Sequence, residues 1–177
     1  MPPFVLALIL LVCGVCFAQS PGRSEPTNLE VLKRYADLGR QGDVAQQAAL
    51  WARGALNNGR AVTSEEIRTQ LEDLRRTFPD LGSETLEIAS AGDLIVVLQR
   101  TSGTHKGIAQ TEIYGGMLRG ARPTGRRFEI LRTHWWRIKD GRIVWHQVVA
   151  DDLGMMRQLG LMADTLPTDK LVAPTKE

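Results

Sequence analysis

The chain is poor in the residues that most often declare a mechanism. Its two cysteines, Cys13 and Cys16, both fall in an uncharged N-terminal stretch. Beyond it there is no thiol for a disulfide framework, a thiolate nucleophile or a cysteine-based metal site. Histidine is nearly as scarce, and three dispersed histidines are a poor zinc case. Neither charge sign dominates: 22 Lys and Arg face 20 Asp and Glu, a net charge of +2. That balance excludes nucleic-acid binding carried by bulk charge. No phosphate loop, dinucleotide glycine pattern or Gly-x-Ser-x-Gly nucleophile motif occurs, so neither a metal nor an organic cofactor is expected.

What is present first is an export signal. Residues 1–18 carry no charged side chain, and Phe4 to Val15 is an apolar run of signal-peptide length. Cys16 and Ala18 put small residues where cleavage needs them. The run is shorter than the roughly 20 apolar residues of a membrane span. The expectation is a secreted or periplasmic protein starting near Gln19, without stable membrane association. A polar linker over 19–28, one domain over 29–163 and a flexible tail over 164–177 complete the expected organisation.

Within the domain, the apolar spacing predicts a helix from Leu29 to Leu38 and a second, capped by Asp43, running through Trp51. Asn57-Asn58-Gly59 marks a turn. Thr63 and Glu66 form a capping box for a helix from Ser64 to about Thr77. From Ser83 the period becomes strand-like, with strands expected around Leu86–Ile88 and over Leu94–Thr101. The Gly-rich piece from Gly103 to Gly125 reads as a loop with a short strand near Thr111–Tyr114. Arg126–Lys139 and Arg142–Ala150 are two strands joined by Asp140-Gly141, a strong hairpin signal. A short helix follows from Asp152. Helices first and a meandering antiparallel sheet after them predict the α+β class.

A two-residue turn pairs residues of the hairpin whose numbers sum to 281. One face then carries Ile130, Arg132, His134 and Trp136, facing Trp145, Gln147, Val149 and Asp151. The other face carries Leu131 and Trp135, facing Val144, His146 and Val148. This register sets His134 opposite Gln147, Arg132 diagonal to Asp151, and His134 and His146 on opposite faces unless a bulge intervenes. Polar groups on an apolar face cost about 1–3 kcal/mol each when unpaired. The cluster is therefore either a structural Arg–Asp and His–Gln network or the floor of a pocket with a carboxylate base.

Several phrases, in order, resemble one family: Phe78-Pro79-Asp80-Leu81, Gly103-Thr104-His105-Lys106-Gly107, Pro123-Thr124-Gly125-Arg126-Arg127, His134-Trp135-Trp136-Arg137, Asp140-Gly141-Arg142-Ile143-Val144, and Asp151-Asp152-Leu153-Gly154 through Gly160. Together they are similar to the SnoaL-like polyketide cyclases, or ester cyclases, of the nuclear transport factor two-like superfamily. The resemblance implies a curved antiparallel sheet wrapped as a cone around helices, with a pocket inside. It also implies ring closure by intramolecular aldol chemistry without a cofactor, with a carboxylate at the end of the last strand as acid/base. Asp151 matches that position, and Arg132 and His134 match family pocket positions. The family often has Asn-His-Gly where this chain has Asn57-Asn58-Gly59, and Glu-His-Trp where it has Trp145-His146-Gln147.

The expected site thus has Asp151 and His134 as catalytic residues. Arg132, Gln147, Trp136, Trp145, Ile130, His105 and Asn58 would bind substrate. The expected partner is a small hydrophobic carbonyl compound. A non-catalytic ligand-binding module and an interaction domain with a vestigial pocket are the other readings of the same residues. The apolar outer face of the hairpin, with Leu131, Trp135, Val144 and Val148, points to a homodimer.

Overall fold

The computed structural model describes residues 27–162. The expected export signal, most of the expected linker and the expected tail lie outside the described residues. Local chemistry sets the helix starts. Helix α1 (Asn28–Gln41) opens at Thr27, whose hydroxyl accepts from the Glu30 N–H while the Glu30 carboxylate accepts from the Thr27 N–H. Thr63 and Glu66 repeat this reciprocal cap at α3 (Ser64–Thr77). Losing such a cap costs roughly 0.5–2 kcal/mol.

Between them, α2 (Val44–Ala49) is shorter than its sequence suggests, because Trp51 begins a strand, β1 (Trp51–Asn57). Long-range pairing overrides the helical pattern here: β1 lies parallel to β6 (Arg142–Ala150). A turn at Asn58-Gly59 returns the chain as β2 (Arg60–Ala61). The remaining strands are β3 (Gly82–Ala91), β4 (Leu94–Thr104) and β5 (Arg127–Lys139), and helix α4 (Asp152–Gln158) follows β6. The strand expected near Thr111 is instead a single 3-10 turn, Ile113–Gly116.

The sheet order is β2-β1-β6-β5-β4-β3, antiparallel throughout except at β1/β6. It is an α+β fold with a mixed rather than purely antiparallel sheet. The helices pack on its inner face: Val31 and Leu32 of α1 and Ile67 of α3 share one core with Ile95, Val97, Trp136, Ile138 and Ile143. A second core at the other end joins Phe78, Tyr114, Phe128, Ile130, Met155 and Leu159. Along β5 the inner face therefore reads Phe128, Ile130, then Arg132, His134, then Trp136, Ile138. The polar pair sits between the two apolar clusters.

One feature of the last hairpin decides what joins that pair. Asp140 (φ 49°) and Gly141 (φ 68°) make the expected turn, and Lys139 and Ile138 pair with Arg142 and Ile143 as expected. Val144 then has no partner. It is a β-bulge, and beyond it Arg137 pairs with Trp145, Trp136 with His146, His134 with Val148 and Arg132 with Ala150. A one-residue slip exchanges faces. His146, Val148 and Ala150 turn inward, while Trp145, Gln147 and Val149 turn outward.

Candidate functional site

The bulge corrects the expected site at four positions. Gln147 is opposite Trp135, not His134, and Trp145 is opposite Arg137 on the outer face. Asp151 is exposed and is the N-cap of α4, its Oδ1 accepting from the Gly154 N–H at 2.8 Å. A Cβ at Gly154 would meet the Asp151 carboxylate, so a larger residue there would displace the capping rotamer. His146, expected on the far face, lies against His134. The carboxylate that enters the interior is the next one, Asp152, half-buried beside Arg132.

Arg132, His134, Trp136 and Ile130 are on the inner face as expected. The Arg132 guanidinium lies over the Tyr114 ring, 4.7 Å from its centroid. Tyr114 is held there by edge contacts from Phe78 and Phe128 and by a left-handed backbone (φ 50°) that a non-glycine residue seldom adopts. His134 Nδ1 is 2.9 Å from His146 Nε2, and His146 Nδ1 is 2.8 Å from Asn57 Oδ1. The Asn57 amide nitrogen donates to Gln70 Oε1 at 3.4 Å. The indole of Trp136 stacks on the His146 ring, centroids 3.9 Å apart. Trp51 meets the same ring edge-on at 6.0 Å.

His105 and Asn58 are not in this group. His105 is fully buried behind Phe78, where its backbone bonds Arg126 and Gly125 and its Nδ1 approaches Thr124. It fastens the loop before β5. Asn58 is the exposed turn residue whose Oδ1 accepts from the Val148 N–H at 3.0 Å, tying the β1–β2 turn to β6. Sequence reasoning missed Asn57, Tyr114 and Asp152. The first and last are each one residue from an expected one.

Four buried polar atoms of this group have no hydrogen-bond partner: Arg132 Nε, His134 Nε2, Tyr114 Oη and Asp152 Oδ1. An unmet buried donor or acceptor costs about 1–3 kcal/mol, so the group is built to receive something polar. Its electrostatics separate the two titratable partners. Burial and the Arg132 charge push the His134 pKa down to about 3. Burial, then His134 and Arg132, hold His146 well below the imidazole range. Asp152 moves the other way: burial and the Asp151 charge raise it against the pull of Arg132. The imidazoles are held neutral and the carboxyl is biased toward its protonated form. That is an acid and a base set apart by their surroundings.

A surface cleft of about 280 Å³ is lined by Arg60, Glu66, Gln70, Thr111, Glu112 and Arg119, and Arg132, His134, Tyr114 and Asp152 are not among its walls. Gln70 belongs both to its wall and to the Asn57 contact.

The profile of the SnoaL-like polyketide cyclase family matches residues 29–159. The chain belongs to this family. Among solved structures, IdmH of Streptomyces antibioticus, a candidate polyketide cyclase, is 25% identical with a TM-score of 0.58 over 76% of this chain and 99% of its own. AclR of Streptomyces galilaeus, a candidate hydroxylase, is 21% identical with a TM-score of 0.61 over 79% of this chain and 100% of its own. A SnoaL-like polyketide cyclase of Agrobacterium tumefaciens is 18% identical with a TM-score of 0.61 over 76% of this chain and 99% of its own. No curated protein matches. Cyclase and hydroxylase descriptions thus sit on one shared fold, and the fold by itself does not choose a reaction.

Proposed function

We propose that this SnoaL-like protein catalyses cofactor-independent acid/base chemistry on a small hydrophobic carbonyl compound held inside the cone. The single observation that carries the reading is the group of four unpartnered buried atoms on a cation, an imidazole, a phenol and a carboxyl. His134 Nε2 takes a proton from the carbon beside a carbonyl, and the C–H electrons pass into an enolate whose oxygen faces Arg132 and Tyr114 Oη. In an aldol closure the enolate carbon then attacks a second carbonyl of the same molecule. The new alkoxide takes the Asp152 proton, and the imidazolium returns its proton to Asp152. Atoms balance as an isomerisation. The anionic enolate favours the imidazolium, offsetting the low basicity of the empty site.

The test is deuterium exchange at the α-carbon of benzoylacetone, a 1,3-diketone, followed by NMR. Wild-type protein is expected to accelerate it, and His134→Gln to lose roughly 10²–10⁴-fold of that acceleration. Wild-type exchange at the buffer rate would leave a binding module as the reading of the same cone.

A further inference from the structure

The contacts around the two histidines fix more than their proximity. A neutral imidazole has one N–H and one lone pair, so each hydrogen bond it makes determines what its other nitrogen offers. Asn57 Oδ1 can only accept. Its amide is oriented with that oxygen on His146 and its nitrogen on Gln70. His146 Nδ1 must then carry the proton, which leaves a lone pair on His146 Nε2. That lone pair, 2.9 Å from His134 Nδ1, requires the proton of His134 on Nδ1. The last atom of the series, His134 Nε2, is a bare acceptor, buried and unpartnered. Its surroundings agree with this polarity. Arg132, two residues along the same strand face, is a donor only. Its positive charge favours a lone pair on the neighbouring imidazole over a second N–H. Trp136, stacked on His146, keeps the rings in one orientation.

We propose that Asn57 is a positioning residue which, through His146, locks both imidazoles as Nδ1–H tautomers, so that His134 Nε2 accepts only ligands bringing an O–H or an acidic C–H. The assignment deepens the acid/base reading above and, for its ligand class, rests on it. At the His134 end the site selects an enol, a phenol or an activated methylene, and rejects a group that offers an acceptor alone.

The tautomers are read directly from the imidazole nitrogens of uniformly 15N-labelled protein, by long-range proton–nitrogen NMR at neutral pH. No substrate is needed. Both His134 and His146 are expected to show a protonated Nδ1 and a bare Nε2, which is the minor form of free histidine. In Asn57→Leu the anchor is gone, and both rings are expected to shift to Nε2–H. Asn57→Asp restores an acceptor and is expected to restore the Nδ1–H form, a rescue that generic damage to the fold would not produce. A wild-type His134 with its proton on Nε2, or an Asn57→Leu variant with unchanged tautomers, overturns the proposal. Should Asn57→Leu not fold, the wild-type reading alone still decides. The ligand class is tested with benzoylacetone and its O-methyl enol ether. Only the first is expected to perturb the His134 Nε2 signal, and an equal response to the ether overturns the donor requirement. Intact tautomers with no α-carbon exchange would instead count against the acid/base reading and leave the relay standing.

Discussion

Two adjacent carboxylates, Asp151 and Asp152, have opposite duties, and single substitutions separate them. Asp151 caps α4, so Asp151→Ala is expected to lower stability by about 0.5–2 kcal/mol while leaving α-carbon exchange intact, and Asp151→Asn to change little. Asp152 has a buried oxygen without a partner and a raised pKa. A carboxyl whose folded pKa lies above its unfolded one costs stability once the pH passes through that interval. Asp152→Asn is therefore expected to hold or raise the melting temperature at neutral pH while leaving α-carbon exchange in place, because its proton enters only at ring closure. The histidines give the acid side its own signature. His134 is depressed to about 3 from 6.5, so below pH 6.5 the unfolded chain binds a proton that the folded one refuses. Stability is expected to fall from pH 6.5 toward 3, by up to ~1.4 kcal/mol per pH unit per histidine. His134→Gln should flatten that slope in denaturation curves taken across the range. An unchanged slope would mean that the imidazole is solvated.

At the scale of elements, what was legible followed from local chemistry. The Thr63–Glu66 box and the Asp140-Gly141 turn are short-range signals, and each appears in the fold, whereas the expected order of helices before sheet is broken by β1 and β2 ahead of α3. Strand β1 was hidden because Trp51–Asn57 is a strand only by virtue of its distant partner β6. The Val144 bulge was hidden for a different reason. No glycine or proline marks it, and the alternate sets Ile143, Trp145, Gln147, Val149 and Val144, His146, Val148, Ala150 are both apolar enough to face a core. Asp151 in place of Asp152, Asn58 in place of Asn57, and the separation of His134 from His146 are all misplacements by one position. The bulge makes a further prediction. Deleting Val144 leaves Ile143 opposite Ile138 and Trp145 opposite Arg137, so the present pairing survives without the extra residue. Such a variant is expected to fold, at a cost within the 0.5–3 kcal/mol of ordinary single changes (roughly), and to keep the His134–His146 contact in NMR. In an unbulged hairpin the same deletion would reverse the faces beyond it and destroy the core.

At the scale of the whole molecule, the outer sheet face is the unfinished surface. The bulge changes its membership: Val148 of the expected patch faces inward and Val144 is the bulge, while Val149 and Trp145 take their places. Leu131 is 50% exposed, Trp135 39%, Val149 63% and Leu56 40%, and these residues lie on neighbouring strands. The helices pack on the opposite face, so no described element covers this one. Ion pairs of Arg100 with Glu84 and of Arg137 with Asp93 border it, giving an apolar centre inside a charged rim. We propose that a second copy of the chain covers the patch through a two-fold axis, because a self-complementary surface closes on itself without exposing a new edge. Trp135 is the anchor of that seam, a large aromatic near the centre, where binding energy concentrates. Trp135→Glu would bury a charge against its own symmetry mate, a doubled penalty for one substitution. Sedimentation velocity at micromolar concentration is expected to give a dimer for the wild type and a monomer for Trp135→Glu, with the His134–His146 tautomers unchanged because they lie on the other face. A wild-type monomer at high concentration would show that the patch serves something other than self-association.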